Sequence, residues 1–234
     1  MRTRLKLLTV GVVLVTAAVA GCSSTEASSG AVQNDTPASS AASPAASPAA
    51  SPPLLGGTYN SVCNTGLAYS CGQMGPGGGM VFYAVSHAFS LSNGYTTATC
   101  GTNNCHYMEA QLALLPGMAW CVGKGATTSV SPGTGAAIGT GYSNTQTMSG
   151  YCSSGAANTA IASTSGGYTD WFVPSADEGD ALAWQWEHIT GGAGCWNSSQ
   201  TGAKQAYEMR HFGNSPIEVN KTSNNVPVCL VRAF

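Results

Sequence analysis

Eight cysteines between positions 63 and 229 constrain the fold of this chain more than any other feature. A ninth, Cys22, stands alone near the N-terminus, which leaves an even number for pairing. In chains that leave the cytoplasm, an even set of cysteines is typical of a disulfide framework. Eight cysteines allow roughly a hundred connectivities, so the count alone does not fix the pairs.

Spacing favours some pairs over others. Two short separations predict local loops closed by Cys63–Cys71 and Cys100–Cys105. We pair the remaining four cysteines as Cys121–Cys152 and Cys195–Cys229. Zinc is the alternative, because Cys100, Cys105 and His106 bring ligand types close together. No second Cys/His pair has matching spacing, so we favour disulfides and expect no metal or other cofactor.

Residues 1–21 have the pattern of a segment that directs export. Arg2, Arg4 and Lys6 precede a mostly apolar run of 14 residues, 7–20. A membrane-spanning helix needs about 20 apolar residues to cross the bilayer, so this run is too short. A basic start, a short apolar run and small residues after it predict a secretory signal peptide.

The apolar run ends Val19-Ala20-Gly21-Cys22. These four residues resemble the lipobox of bacterial lipoproteins, in which the cysteine becomes the lipidated first residue of the mature chain. The resemblance implies that lipid on Cys22 anchors the protein in a membrane, outside the cytoplasm, at the cell surface or on a periplasmic face. One acyl chain holds weakly, whereas several hold stably. The alternative is an ordinary signal peptide in which Cys22 is incidental.

Residues 22–53 consist mostly of Ser, Ala, Pro, Thr and Gly, with the repeat Ala-Ser-Pro near their end. Such a segment has too little apolar surface to offset the entropy of ordering it, so we expect a disordered, semi-stiff tether. Residues 54–234 then form one globular domain of ordinary size.

Charged side chains are scarce in residues 54–234. Five Lys and Arg stand against eight Asp and Glu, a net charge of −3. Nucleic acids and sulfated polyanions are bound by basic patches, so the composition argues against both as partners.

Several local patterns predict secondary structure. Glycine-rich residues 75–79 predict a turn before a strand at 80–85. Residues 108–115 form an apolar stretch of ambiguous period that ends at Pro116, and residues 144–162 favour one helix that Asn144 or Thr145 caps. Short strands are expected at 206–210, 217–219 and 226–234.

The clearest predicted helix begins after Ser175. Ser175 and Glu178 have the spacing of a capping box, and Asp177 lies in the first turn, where the helix dipole favours anions. Leu182, Trp186 and Ile189 would form one apolar face, and Gly191-Gly192 would end the helix.

Five motifs follow in order along the domain: Gly78 to Tyr83 (GGMVFY), Ile138 to Gly141 with Asn144-Thr145, Gly167 to Glu178 (GYTDWFVPSADE), Cys195 to Ser199 (CWNSS) and Val231-Arg232. In that order they resemble the Lcl C-terminal-domain-like family, named for the C-terminal domain of a collagen-like bacterial adhesin. The resemblance covers residues 75–234 but departs from the family pattern at Cys195, where the family has Tyr, and at Val173, where it has Leu.

The resemblance implies an α+β, C-type-lectin-like domain with short antiparallel strands, two helices, long loops and disulfides. It also places a strand at 108–115, and it implies adhesion or ligand binding and a trimer by analogy with the family. The Cys195 departure suggests a bridge to Cys229 between terminal strands. The adhesin's binding of glycosaminoglycans would depend on positive charge, so we do not expect that ligand here.

Four residues are candidates for a functional role: Asp170, Trp171, Trp184 and Asn197. We expect Asp170 to accept backbone N–H groups in a turn and Trp171 to fill the core. Trp184 and Trp186 lie on different helix faces, so Trp184 is the more exposed ring. An exposed Trp near Asn is typical of sugar binding, which makes Trp184 and Asn197 speculative ligand contacts.

Catalysis has little support in the sequence. His87, His106, His188 and His211 are scattered, and neither a Gly-x-Ser-x-Gly turn nor a His-Glu-x-x-His helix is present. Helix capping and the helix dipole explain the carboxylates at 177, 178 and 180. The loops lack a cluster of Glu, Asn and Asp side chains that would bind calcium. We therefore expect no catalytic residues and a non-enzymatic binding module for a glycan or an envelope or host protein. The alternatives are a structural envelope lipoprotein and an exported hydrolase.

Overall fold

The described part of the domain combines two three-stranded antiparallel sheets with three α-helices, an α+β architecture. The computed structural model describes residues 62–91, 100, 104–131, 134–185, 193–210 and 216–234. The signal peptide (1–21), Cys22 and the tether (22–53) lie outside the described residues, as do Trp186, His188, Ile189 and His211. The C-type-lectin-like assignment stays a prediction.

The first sheet has the order β1 (Met80–Phe89), β2 (Cys105–Ala110) and β6 (Val231–Ala233). Because side chains alternate along a strand, Met108 and Ala110 face the apolar core while Glu109 faces the opposite side. Glu109 lies opposite Arg232 in the ladder between β2 and β6. This register brings two charged side chains together on one buried face of the sheet.

The second sheet has the order β3 (Cys195–Gln200), β4 (Gln205–Met209) and β5 (Ile217–Asn220). The Trp196 amide donates to the Pro227 carbonyl, and the Ser198 amide donates to the Pro174 carbonyl. The positions of β4 and β5 confirm the strands expected at 206–210 and 217–219. The strand expected at 226–234 is shorter, because only Val231–Ala233 pairs as β6.

The strand expected at 108–115 was placed too late in the chain. β2 begins at Cys105 and ends at Ala110, whose ladder partners, Met80 and Val231, are the first residues of β1 and β6. The ladder ends at Ala110 because both neighbouring strands begin opposite this residue. Residues 111–118 continue along the surface, with a single bridge from Leu115 to Val228.

The single helix expected at 144–162 is two helices, α1 (Gly141–Tyr151) and α2 (Ala156–Ile161). Asn144 and Thr145 lie inside α1 and do not cap it. The break falls at Cys152, whose backbone is extended, and at Gly155, whose φ of 126° is unfavourable for residues with a side chain. The expectation of two helices was therefore wrong, since the described residues contain three.

Helix α3 (Ala176–Ala183) begins as predicted. The Ser175 side chain accepts from the Glu178 amide, and the Glu178 side chain accepts from the Ser175 amide, so the capping box is complete. Leu182 is buried, as expected. The α-helix ends at Ala183, before the expected end at Gly191-Gly192, and residues 186–192 lie outside the described part of the chain.

Four disulfides hold these elements together, and they are the four pairs that the sequence analysis favoured: Cys63–Cys71, Cys100–Cys105, Cys121–Cys152 and Cys195–Cys229. Cys195–Cys229 joins β3 to the segment that leads into β6. Cys121–Cys152 joins the break between α1 and α2 to a surface segment. The zinc alternative fails because the sulfurs of Cys100 and Cys105 bond to each other.

The first described residues join the edge of β1. The Asn64 amide donates to the Ala84 carbonyl at 2.7 Å, and the Ala84 amide donates to the Val62 carbonyl at 2.8 Å. Cys63 is also bonded to Cys71, and the next residue, Gly72, donates to Val81 of the same strand. The chain is therefore fixed to β1 at two places from its first described residues onward.

Candidate functional site

Trp184 lies at the C-terminal end of α3 and is 39% exposed. The neighbouring residue, Gln185, places its Nε2 atom 3.9 Å from the Sγ atom of Cys63. That contact fixes the end of α3 against the disulfide Cys63–Cys71. Trp184 thus presents a large, partly exposed ring, as the sequence analysis expected of this side chain.

Asn197 is not at the surface. It lies in β3, is fully buried, and packs so closely beneath Gly179 that a Cβ atom there would collide with its carboxamide. Neither its Oδ1 nor its Nδ2 atom has a hydrogen-bond partner in the structure. Trp184 and Asn197 therefore do not form a shared surface in this conformation.

Glu178 is a buried carboxylate that holds a loop to the start of α3. Its Oε1 atom accepts from the Gly139 amide at 2.8 Å and from the Gly141 amide at 3.3 Å. Its Oε2 atom accepts from the Ser175 amide at 2.7 Å. Burial raises the pKa of Glu178 to about 7, although these N–H donors favour the ionised form and lower it. The Gly139-to-Gly141 motif is therefore used to bind a carboxylate within the chain.

Asn144 forms a buried polar cluster with Gly135 and Ser198. Its Nδ2 atom donates to the Gly135 carbonyl at 2.7 Å and to the Ser198 hydroxyl at 3.0 Å, and its Oδ1 atom accepts from the Gly135 amide at 2.8 Å. Thr145 accepts from the Val173 amide at 3.0 Å. The Asn144-Thr145 pair thus fixes α1 to β3 and to the segment before α3.

The second charged cluster is centred on Arg232, which is fully buried. Its Nη1 atom donates to Glu109 Oε1 at 2.7 Å, and its Nε and Nη2 atoms donate to the two oxygens of Asp170 at 2.8 and 3.0 Å. Glu109 also accepts from the amides of Gly77 and Gly79, each at 2.8 Å. Hydrogen bonds to both carboxylates raise the pKa of Arg232 in spite of its burial.

Aromatic rings enclose this cluster. The Arg232 guanidinium carbon lies 3.8 Å from the centre of the Tyr168 ring, and Trp171 is buried with its Nε1 atom donating to the Ser165 carbonyl. Trp171 therefore fills the core, as expected. Asp170 has a charged partner, Arg232, that the sequence analysis did not foresee.

Lys221 forms a third buried centre, and its ammonium group has only neutral contacts among the described residues. The Nζ atom lies 2.8 Å from Gln200 Oε1 and 3.2 to 3.3 Å from the carbonyls of Gly125, Thr128 and Ala203. It also lies 4.7 Å from the centre of the Trp120 ring. Burial lowers the pKa of Lys221 to about 8. The ammonium joins three separate segments of the chain.

The sequence analysis did not single out Glu109 or Lys221, and it named Arg232 only as part of the Val231-Arg232 motif. A signal was available, since each is an isolated charge within a mostly uncharged stretch. A charge that must be buried with the apolar residues around it needs a partner.

Within the described ranges, no group of three or more His, Cys, Asp and Glu side chains is placed to hold a metal ion. His106 directs its Nδ1 atom to the Val85 carbonyl at 2.9 Å, and the exposed His87 lies beside Ser86. The buried carboxylates and cations are used to join segments of the domain. Trp184 remains the candidate that faces solvent.

No protein family model matches the chain, and no curated protein matches it either. The resemblance to the Lcl C-terminal-domain-like family therefore stays a prediction that depends on the motifs alone.

Proposed function

We propose that this protein is an extracytoplasmic lipoprotein, held in a membrane by lipid on Cys22, whose domain binds a glycan or protein ligand without catalysis. The anchor is proposed from the residues that precede Cys22. Among the described residues, no helix is long and apolar enough to span a membrane. Lipid on Cys22 would supply the attachment.

The exposed ring of Trp184 is the observation that carries the binding proposal. Aromatic rings supply a large contact area at a low cost in side-chain entropy, and they stack on the apolar faces of sugars. The contact between Gln185 and Cys63 holds this end of α3 in place.

The distribution of charge favours an uncharged ligand over a polyanion. Arg232 and Lys221 are fully buried, which leaves Lys124, Lys204 and Arg210 as the exposed cations among the described residues. Binding of sulfated or phosphorylated polymers needs clustered cations at the surface.

A glycan array, read with the full mature chain carrying Cys22→Ala, tests the binding proposal. Trp184→Ala should weaken binding at least about tenfold, the equivalent of about 1.4 kcal/mol, and Trp184→Phe should restore part of it. Leu112→Ala is the matched control, because Leu112 is also a large exposed apolar side chain.

A blank array together with capture of envelope proteins would favour a protein ligand or the structural lipoprotein. Equal binding by the Trp184→Ala and Leu112→Ala chains would remove Trp184 from the site. The anchor is tested separately, since Cys22→Ala should move the protein from the membrane fraction to the soluble fraction. Retention in the membrane would contradict lipidation.

A further inference from the structure

The disulfide between Cys63 and Cys71 reaches the surface of the domain. Cys63 is partly exposed, and the loop that follows it is exposed at Thr65 and Gly66. Its partner, Cys71, is buried. The other six disulfide-bonded cysteines are at most 8% exposed: Cys100, Cys105, Cys121, Cys152, Cys195 and Cys229. A thiol in solution therefore reaches Cys63 more readily than it reaches any of those six.

Backbone hydrogen bonds hold both ends of the loop that this disulfide closes. At its start, the Asn64 amide donates to the Ala84 carbonyl at 2.7 Å. Just after its end, the Gly72 amide donates to the Val81 carbonyl and the Val81 amide donates to the Gln73 carbonyl, each at 2.8 Å. All three bonds join the chain to β1. The two cysteines would therefore stay beside the same strand if the bond between their sulfurs were broken.

Both sulfurs have acceptors for the protons that reduction would add. The Sγ atom of Cys63 lies 3.6 Å from the Phe82 carbonyl oxygen, and the Sγ atom of Cys71 lies 3.9 Å from the Val62 carbonyl oxygen. A thiol is a weak hydrogen-bond donor, so each S–H group would have a carbonyl already in place beside it. The reduced pair fits the folded domain without a rearrangement of β1.

The loop from Cys63 to Cys71 is also short. Its cysteines are 8 residues apart, against 31 and 34 residues for the two long-range disulfides. A disulfide stabilises a fold by restricting the unfolded chain, and this effect grows with loop length. Closing 8 residues contributes about ninefold less to the folding equilibrium than closing 34. Cys100–Cys105 closes a shorter loop still, of 5 residues, but both of its cysteines are buried.

Ring contacts hold the middle of the loop as well. Tyr69 packs edge-on against Tyr107 of β2 and against Phe234, with ring centres 5.3 and 5.1 Å apart. The Ala68 amide donates to the Tyr107 hydroxyl at 3.2 Å. None of these contacts involves a sulfur, so they persist when the disulfide opens. They keep Cys71 close to its partner, which favours closure of the same pair.

We propose that Cys63–Cys71 is a site of reversible thiol–disulfide exchange with a dithiol, while the other three disulfides stay closed. One thiolate of the dithiol attacks the Sγ atom of Cys63, forms a mixed disulfide and releases Cys71 as a thiolate, which takes up a proton. The second thiolate of the dithiol attacks its partner sulfur in the mixed disulfide and releases Cys63. Two electrons and two protons pass to the protein, and the dithiol becomes a disulfide. Oxidised dithiol reverses both steps.

Graded reduction of the full mature chain with Cys22→Ala tests this assignment. The folded protein is incubated with a dithiothreitol series at mildly alkaline pH, quenched with acid and alkylated with N-ethylmaleimide, and the labelled cysteines are mapped by peptide mass spectrometry. We expect Cys63 and Cys71 to be labelled together at a dithiothreitol concentration at least about tenfold below that required by any other pair. Near-ultraviolet circular dichroism should stay native at that concentration. Oxidised dithiothreitol should then abolish the labelling.

Two double variants are matched controls. Cys63→Ser with Cys71→Ser should fold cooperatively and lose only the labelling at low dithiothreitol. Cys121→Ser with Cys152→Ser removes a buried long-range disulfide and should lower the urea midpoint further. Earlier labelling of Cys100 and Cys105, labelling of all eight cysteines in one step, or loss of the native circular dichroism when Cys63 and Cys71 are labelled would overturn the proposal. The labelling order is read on the chain with all four disulfides, so it does not depend on whether either double variant folds.

Discussion

Arg232 donates two parallel hydrogen bonds to Asp170, which lies 62 positions away in the sequence. Nε donates to Oδ1 at 2.8 Å, and Nη2 donates to Oδ2 at 3.0 Å. The third bond of the guanidinium goes to Glu109, which in turn accepts two amides of the glycine turn at 77–79. One cation thus connects β2, β6, the glycine turn and the segment before α3.

Arg232→Met should lower the free energy of unfolding by about 3 to 5 kcal/mol, because it leaves two carboxylates without their shared cation in a buried position. Urea denaturation measures the change. Arg210→Met is the control, since Arg210 is 45% exposed and lies 3.7 Å from Glu208, an arrangement that contributes at most about 1 kcal/mol. Equal losses of unfolding free energy in the two variants would show that the buried cluster contributes no more than an exposed ion pair.

Stability should depend on the ionisation of Glu178. Its pKa is raised by burial from 4.5 to about 7, so the folded state holds the proton more tightly than the unfolded state. The contribution is therefore fully present below pH 4.5 and is lost as the pH rises through 7, with a total on the order of a few kcal/mol.

Thermal unfolding between pH 4 and 8 measures this slope, and Glu178→Gln should flatten it. Asp180→Asn is the comparison, because the pKa of Asp180 is also raised, by burial and by Asp177, but this side chain lies at the surface. A melting temperature that rises between pH 4.5 and 7 would mean that the N–H donors around Glu178 outweigh its burial.

Two buried asparagines should respond to the same substitution with opposite signs. Asn197→Val removes two polar atoms that have no hydrogen-bond partner and should stabilise the domain by about 1 kcal/mol. Asn144→Val breaks three hydrogen bonds and removes the acceptor of the Gly135 amide, although the Gly135 carbonyl keeps the Ser199 hydroxyl, so it should destabilise by about 3 kcal/mol. Destabilisation by both would indicate that Asn197 binds a group of its own, such as a buried water.

Lys221→Met should destabilise the domain by about 3 kcal/mol, since it leaves a buried Gln200 oxygen and three carbonyl oxygens without the ammonium donor. Lys204→Met, at an exposed position, controls for the loss of charge. Hydrogen exchange should increase at residues 125–131 and 200–204 if the ammonium joins these segments. Unchanged exchange there would contradict that role.

Local features of this fold could be predicted, because their partners are close in sequence. The capping box of Ser175 and Glu178 spans three residues, and the glycine turn leads directly into β1. The disulfide pairing followed partly from short spacing, as for Cys100–Cys105, whose separation is 5 residues.

Features that depend on distant partners could not be predicted. Glu109 meets Arg232 across 123 positions, and no local pattern indicates that pairing. The end of β2 at Ala110 is set by where β1 and β6 begin, so residues 111–115 look strand-like and yet lie along the surface. Burial of Asn197 depends on the close approach of Gly179 on α3, which only the packed structure provides.

The attachment of residues 62–64 to β1 has a mechanical consequence. Any pull transmitted along the chain from before Val62 would act on two hydrogen bonds at Ala84 and then on the covalent bond between Cys63 and Cys71. The disulfide prevents the loop between Cys63 and Cys71 from extending under tension. It transmits the force to Gly72, which is paired with Val81. Force would therefore meet the first sheet along β1 itself.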